Sequence, residues 1–214
     1  KKGENTQEVK YNKWAILFCV VTMTFMSCID GSIVNVALPK ISYDLNKPIL
    51  DTQWIVTTYL MVISALVLLC GRIGDIKGKC KVFKVGVLIF TIGSFFSGLS
   101  KTLPLLIVSR AIQGVGGSCA MATGMGIITA FFNEKERVKA MGLSASAVAM
   151  GVMVGPALGG ILVSIRWDLI FWINVPIGII AFLLSMVYLS KMEINSKEKI
   201  DIRGTIVFTI FIVS

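Results

Sequence analysis

Six long hydrophobic runs constrain this chain more than any other feature of its sequence. They cover about 14–38, 52–73, 82–99, 103–132, 140–165 and 169–189. Each approaches or exceeds the roughly 20 apolar residues that a helix needs to cross the hydrocarbon core of a bilayer. An open sheet cannot sit in lipid, and the runs lack the alternation of barrel strands. The sequence therefore predicts an all-α membrane protein whose central unit, 14–189, is a six-helix bundle surrounded by membrane lipids.

The composition agrees with this interpretation and excludes several functions. Hydrophobic residues make up 55% of the chain and charged residues 15%, whereas a soluble domain carries about 25% charged residues. The net charge of +9 comes from short segments between the runs and forms no basic face, so we expect no nucleic-acid partner. Histidine is absent and the five cysteines form no CxxC pair. The sequence therefore predicts no metal site, no cofactor and no enzymatic activity.

The segments outside the runs indicate a piece of a longer protein. Residues 1–13 are predicted to be a cytoplasmic tail, and 190–203 a charged cytoplasmic linker. Residues 204–214 are predicted to be the start of a seventh membrane helix, at which the chain stops. Because the chain also does not begin with Met, we expect it to be a fragment.

The distribution of basic residues predicts an orientation. With the N-terminus inside, 16 of the 21 lysines and arginines lie on the inner side and four on the outer side. Lysine and arginine accumulate on the cytoplasmic side of membrane proteins. We therefore predict a multi-pass cell-membrane protein with a cytoplasmic N-terminus.

Turn and capping residues predict where the helices end. The segment Gly71–Lys81 holds four basic residues and three glycines, which is typical of a tight turn. Pro39 is predicted to end the first helix, and Asp51 to cap the second. The charged segment 133–139 is predicted to be a loop with Asn133 as a cap.

Two charged residues lie deep within the apolar runs. Asp30 is eight residues from the outer end of the first run, and Arg110 is seven from the outer end of the fourth. At about 1.5 Å per residue, both lie roughly 10–12 Å below the outer surface. Charges at such depth normally face a partner or an aqueous cavity. Either the two form a structural ion pair, or they face one cavity as a proton or cation site.

The fifth run contains a glycine stripe. Gly151, Gly155 and Gly159 are four residues apart and so share one helix face, which another helix can approach closely. Pro156 removes a backbone hydrogen bond, and Gly160 follows directly after the stripe. The predicted packing seam comprises Gly151, Gly155, Pro156, Gly159 and Gly160. Close packing alone explains such a motif, but a flat seam also suits helices that move against each other.

Together these motifs resemble the major facilitator superfamily, and within it the fourteen-helix drug/proton antiporter branch. The segment between the second and third runs resembles the signature G-x-x-x-D-x-x-G-[KR]-x-[KR] at Gly71, Asp75, Gly78, Lys79 and Lys81. The fourth run resembles another signature through Arg110, Gln113 and the glycines that follow, and the fifth resembles the antiporters' glycine-proline motif. Further similarities lie at Asp30–Pro39 and Trp172–Gly178.

The resemblance implies that this chain is the N-terminal six-helix bundle of a transporter plus the start of a seventh helix. A C-terminal bundle, missing here, would complete a central cavity that works by alternating access. Asp75 would help to latch the outward-facing state, and Arg110, Gln113 and Asp30 would handle protons or substrate. The glycine-proline seam is associated with export. The implied partners are a drug-like small molecule and protons, with antibiotic resistance as the outcome.

Two alternatives remain at this point. The same fold could serve a facilitator or importer of another solute, or a membrane receptor without transport. Proton dependence of the flux would distinguish a drug/proton antiporter from a facilitator or importer. Any measurable flux would exclude a receptor without transport.

Overall fold

A computed structural model describes residues 12–189, in which every regular element is a helix. Six spans within this part are long and apolar enough to cross a membrane, two of them formed by consecutive helices. The predicted all-α fold with six membrane helices is confirmed. Most of the predicted tail, the linker and the seventh helix lie outside the described residues. The helices are α1 (Lys13–Asp44), α2 (Ile49–Thr52), α3 (Trp54–Lys77), α4 (Lys79–Leu99), α5 (Leu103–Phe131), α6 (Glu134–Ile165), α7 (Leu169–Trp172) and α8 (Asn174–Leu189).

Helix α5 lies inside the bundle and packs most extensively against α3 and α4, while α1 packs against α6 and α8. Two apolar clusters form the core. One surrounds the first half of α1, from Ile16 to Met26, and the other surrounds the second half, from Ile29 to Ile41. The deep charge on α1, Asp30, therefore lies where one apolar cluster gives way to the next.

Pro39 does not end the first helix, contrary to the prediction. Helix α1 continues through it to Asp44. Proline removes one hydrogen bond and crowds the preceding turn, but membrane helices tolerate it where neighbouring groups compensate. Ile41 is completely buried in the second cluster, and Lys40 Nζ lies 2.8 Å from the Asp44 carboxylate. Packing and this pair hold the last turns in place.

Asp51 does not cap the second membrane helix. It lies within α2, which begins at Ile49 directly after Pro48. The fixed φ angle of proline favours a helix start at this point. Gln53 has helical dihedral angles and joins α2 to α3, so both belong to one span, Ile49–Lys77.

The polar segment between the second and third runs is shorter than the predicted loop. Helix α3 runs to Lys77 and α4 begins at Lys79, so Gly78 alone separates them. Gly78 has φ 97°, a conformation that glycine adopts without a steric cost. Lys79 and Lys81 therefore lie on α4, earlier than the apolar pattern predicted.

The charged segment 133–139 is helical rather than a loop. Helix α6 begins at Glu134, and Asn133 occupies the capping position without a side-chain capping bond in the described structure. Glu134 and Glu136 lie in the first turn, where the helix dipole favours carboxylates. Lys13 Nζ lies 2.6 Å from Glu136 and ties this end of α6 to the start of α1.

Candidate functional site

Asp30 of α1 and Arg110 of α5 form an ion pair inside the bundle. Arg110 Nη1 donates a hydrogen bond to Asp30 Oδ2 over 2.5 Å, and both side chains are completely buried. Asp30 and Arg110, which the sequence places at a similar depth, are therefore in direct contact. Removing two charges from water is costly, so such a pair needs further hydrogen bonds to be stable.

Two amide side chains supply those hydrogen bonds. Gln113 Nε2 donates to Asp30 Oδ1 over 2.9 Å, and Asn174 Nδ2 donates to the same oxygen over 2.8 Å. Arg110 Nη1 also donates to Gln113 Oε1 over 2.7 Å. All four side chains are buried. We call Asp30, Arg110, Gln113 and Asn174 the polar cluster.

The backbone geometry of α4 and α5 places Gln113 against the carboxylate. Arg110 and Gln113 are three residues apart and therefore share one face of α5. On the α4 side, a methyl group at Gly93 would lie 2.6 Å from the Gln113 backbone nitrogen. A larger residue at Gly93 would push α4 and α5 apart at the level of the polar cluster.

Asn174 reaches the cluster from the first residue of α8, after the short break at Ile173. Its Nδ2 also donates to Ser94 Oγ over 3.3 Å, and Ser94 Oγ donates to the Phe171 carbonyl over 2.9 Å. In the sequence, Asn174 stands out only as part of the similarity at Trp172–Gly178. The signal that could have found its role is a polar amide within a strongly apolar run.

Replacing Asn174 with leucine should destabilise the bundle by about 1–3 kcal/mol, because the Asp30 carboxylate loses a donor and Ser94 loses a partner. Thermal unfolding of the purified protein in detergent would measure this. Asn35→Leu is the matched control, since the exposed Asn35 amide donates to the carbonyl of Gly31 on its own helix and bonds to no other helix among residues 12–189. Equal effects of both substitutions would contradict the role of Asn174.

Aromatic rings enclose the guanidinium group of Arg110. Its central carbon lies 4.0 Å from the centroid of the Tyr59 ring and 5.7 Å from that of Phe171. Arg110 Nε donates a long hydrogen bond of 3.4 Å to the Ile55 carbonyl, and Nη2 has no partner among residues 12–189. The ring faces stabilise a cation that has little hydration.

A cavity of about 340 Å³ opens next to the polar cluster. Helices α1, α3, α5 and α6 line it, through residues that include Ser27, Asn35, Tyr59, Met121 and Val152. Tyr59 borders both the cavity and the Arg110 guanidinium. Asp30 and Arg110 themselves are not among the residues that line it.

The predicted latch residues meet at the junction of α3 and α4. Asp75 Oδ1 lies 3.1 Å from Lys79 Nζ across the Gly78 turn, and about a third of each side chain is exposed. Gly71 faces Ala122 of α5. Lys81 lies on the first turn of α4. The junction therefore presents charge at the surface of the bundle, far along α3 from the polar cluster.

The glycine stripe of α6 is the contact surface with α1. A methyl group at Gly151 would lie 2.8 Å from Cys28 Cβ, and one at Gly159 would lie 3.0 Å from Ile33 Cγ1. At Gly155, it would collide with Ser32.

Gly160 does not belong to this seam, contrary to the prediction. A methyl group there would have no described atom within 4 Å. Pro156 is likewise exposed. Both residues lie off the face that carries Gly151, Gly155 and Gly159, because the residue next to a stripe position is rotated by about a quarter turn around the helix.

Comparison with known families identifies this architecture. The family described as the Major Facilitator Superfamily matches residues 20–211. The chain belongs to the Major Facilitator Superfamily. A solved structure agrees with the fold of this Major Facilitator Superfamily bundle: the crystal structure of a bacterial homologue of the human lysosomal transporter Spinster, in an inward-facing and unoccupied conformation. It has a TM-score of 0.68 and 17% sequence identity, over 89% of this chain and 45% of that chain.

Curated relatives in the Major Facilitator Superfamily are transporters rather than enzymes. The chain is 42% identical over 198 residues to the riboflavin transporter RibZ of Clostridioides difficile, covering 92% of this chain and 43% of the relative. It is 32% identical over 211 residues to the multidrug transporter protein MdtP of Bacillus subtilis, covering 98% of this chain and 39% of the relative. The chain thus spans less than half the length of these relatives.

Proposed function

We propose that this chain is the N-terminal half of a transporter that exports amphipathic small molecules, including drugs, in exchange for protons. The observation that carries the proposal is the polar cluster. An ionisable carboxylate and its arginine partner occupy the interior of a membrane bundle, where charged residues commonly serve ion or substrate pathways. The similarity to a multidrug transporter protein supports the substrate class.

Protonation of Asp30 would drive the cycle. In the ionised state the carboxylate accepts hydrogen bonds from Arg110, Gln113 and Asn174. A proton arriving from the outside cancels its charge and weakens the bond with Arg110, which favours release of the drug. Loss of the proton toward the cytoplasm restores the pair and the form that binds drug. Because Tyr59 contacts Arg110 and lines the cavity, it is the side chain through which the cluster acts on a bound molecule.

Inside-out vesicles that contain the full-length protein test this function. With an imposed proton gradient, a drug substrate should trigger proton efflux that a pH-sensitive dye reports. Asp30→Asn should abolish the response. Asp168→Asn is the matched control, because Asp168 is also paired with an arginine but lies in the turn before α7. No response to any drug, with the gradient intact, would refute proton-coupled export.

We further propose that the protein belongs to the fourteen-helix antiporter branch, with a cytoplasmic N-terminus and a second bundle beyond this chain. The charge asymmetry between the two sides supports the orientation. A protease site placed before Lys13 should be cut in inside-out vesicles and protected in intact cells. The opposite pattern would invert the topology.

Asp75→Asn should abolish transport while drug binding is largely kept. In the proposal, Asp75 latches the outward-facing state against the second bundle, so the substitution changes the equilibrium between conformations and leaves the cavity intact. Transport assays and equilibrium binding on the same preparation would separate the two effects. Asp44→Asn is the control, since Asp44 also pairs with a lysine four residues away but at the other end of the bundle. Unchanged transport by Asp75→Asn would contradict the latch.

A flavin is the second candidate substrate. The identity of 42% with a riboflavin transporter favours it, and it represents the alternative of another solute on the same fold. Growth of a riboflavin auxotroph on limiting riboflavin, with and without the full-length protein, distinguishes the candidates. A growth benefit without drug resistance would favour flavin transport over drug export.

A further inference from the structure

Cys70 of α3 and Cys119 of α5 face each other within the bundle. Their sulfur atoms lie 2.9 Å apart, which is less than 1 Å beyond the length of a disulfide bond, about 2.05 Å. Cys70 is buried and Cys119 is half-buried, and both are free thiols. Neither residue takes part in the polar cluster or lines the cavity.

The close packing of α3 on α5 holds Cys70 and Cys119 in contact. On one side of the pair, a methyl group at Gly114 would lie 3.1 Å from the Tyr59 carbonyl oxygen. On the other side, a methyl group at Gly74 would lie 2.6 Å from Thr123 Cγ2. The two helices therefore approach closely both before and after the cysteines, so the contact does not depend on one flexible side chain.

Ser118 orients the two thiols. Its hydroxyl donates to the Val115 carbonyl over 2.8 Å, which leaves its oxygen to accept from Cys70 over 3.4 Å. Cys70 therefore contacts Ser118 and Cys119 at the same time. This arrangement aims one sulfur at the other.

We propose that Cys70 and Cys119 form a reversible oxidation site that reacts with hydroperoxides and closes to a disulfide between α3 and α5. One of the two thiolates attacks the peroxide, the O–O bond breaks, and the products are a sulfenic acid and an alcohol. The other cysteine then attacks the sulfenic sulfur, the S–O bond breaks, and water leaves. In total, two thiols lose two electrons and two protons, and the peroxide becomes alcohol and water.

The disulfide would fix the cytoplasmic part of α3 to α5. Cys70 is five residues before Asp75, and Gly78 ends the same helix. A covalent link at this position restrains the last turns of α3, which carry the junction with α4. A thiol reductant reverses the link by exchange.

Peptide mapping tests the proposal on the full-length protein in native membranes, without any substitution. Trypsin leaves Cys70 in the segment 41–72 and Cys119 in the segment 111–135, and neither segment contains a second cysteine. After treatment with tert-butyl hydroperoxide and alkylation, mass spectrometry should find these two segments joined. Dithiothreitol should separate them again.

Substitutions then establish specificity. Cys70→Ser and Cys119→Ser should each abolish the linked peptide, and Cys80→Ser, which changes a buried cysteine on α4, should retain it. The proposal fails if both cysteines of the wild-type protein remain fully alkylated after peroxide, or if either one is found joined to a different cysteine. Both refuting results are measured on the wild-type protein. The test therefore stays decisive even if one of the variants fails to fold.

Discussion

Asp30→Asn is expected to abolish proton-coupled transport and to lower the free energy of unfolding by about 3–5 kcal/mol, the usual effect of removing one partner of a buried ion pair. Arg110 would keep its charge in the buried site without Asp30, and its remaining bonds among residues 12–189 go to Gln113 and to the Ile55 carbonyl. The asparagine also cannot accept hydrogen bonds at both side-chain positions. Thermal unfolding in detergent and the proton-efflux assay measure the two effects separately.

The double variant Asp30→Asn/Arg110→Gln separates a structural ion pair from a coupling site. With both charges removed, no unpaired charge stays buried, so stability should recover in large part. Coupling should remain lost, because no titratable carboxyl is left in the polar cluster. If the double variant transports drug with normal proton coupling, the pair serves structure alone and the proposed mechanism is wrong.

Gly155→Leu is expected to prevent α6 from packing on α1 and so to eliminate folded protein. Even a methyl group at this position would collide with Ser32 and would lie 3.2 Å from the Ile29 carbonyl oxygen. Overpacking against side chains costs about 1–3 kcal/mol, and the backbone in this seam cannot yield as a side chain can. The expected loss therefore exceeds that range.

Gly160→Leu on the same helix is the matched control. Because a methyl group there has no described neighbour within 4 Å, we expect a change in stability of about 0.5 kcal/mol or less. Size-exclusion profiles and thermal unfolding of both variants in detergent provide the comparison. Equal loss of folded protein would contradict the assignment of the seam to Gly151, Gly155 and Gly159. A stable Gly160→Leu protein that no longer transports would place Gly160 against the second bundle.

The membrane helices and the central ion pair could be predicted because their physical causes are local. Long apolar runs have one solution in a bilayer, and a charge inside such a run has to find a partner. Asp30 and Arg110 are at similar depth in their runs, so counting residues was sufficient to place them at one level of the bundle, with an ion pair as one of two alternatives. The stripe of Gly151, Gly155 and Gly159 was equally readable from its spacing.

The remaining contacts between helices depend on how each helix is rotated about its axis. The hydrophobic runs alone do not determine this rotation. Apolar residues occur on all faces of these helices, whether the faces meet protein or lipid. Neither the contact of Asn174 with Asp30 nor that of Cys70 with Cys119 could therefore be derived from spacing. The predicted helix ends were wrong at positions where tertiary packing extends a helix. At Pro39, for example, α1 continues because the buried Ile41 anchors the turns that follow.

The single-residue junction at Gly78 has a consequence for how the protein is made. Gly78 alone separates α3 from α4. During synthesis α4 therefore leaves the ribosome directly after α3, before α3 can enter the membrane by itself. We expect the two to partition into the lipid as one preformed hairpin, with Lys79 and Lys81 retained at the membrane surface. Insertion of α3 and α4 would then proceed as a pair rather than one helix at a time.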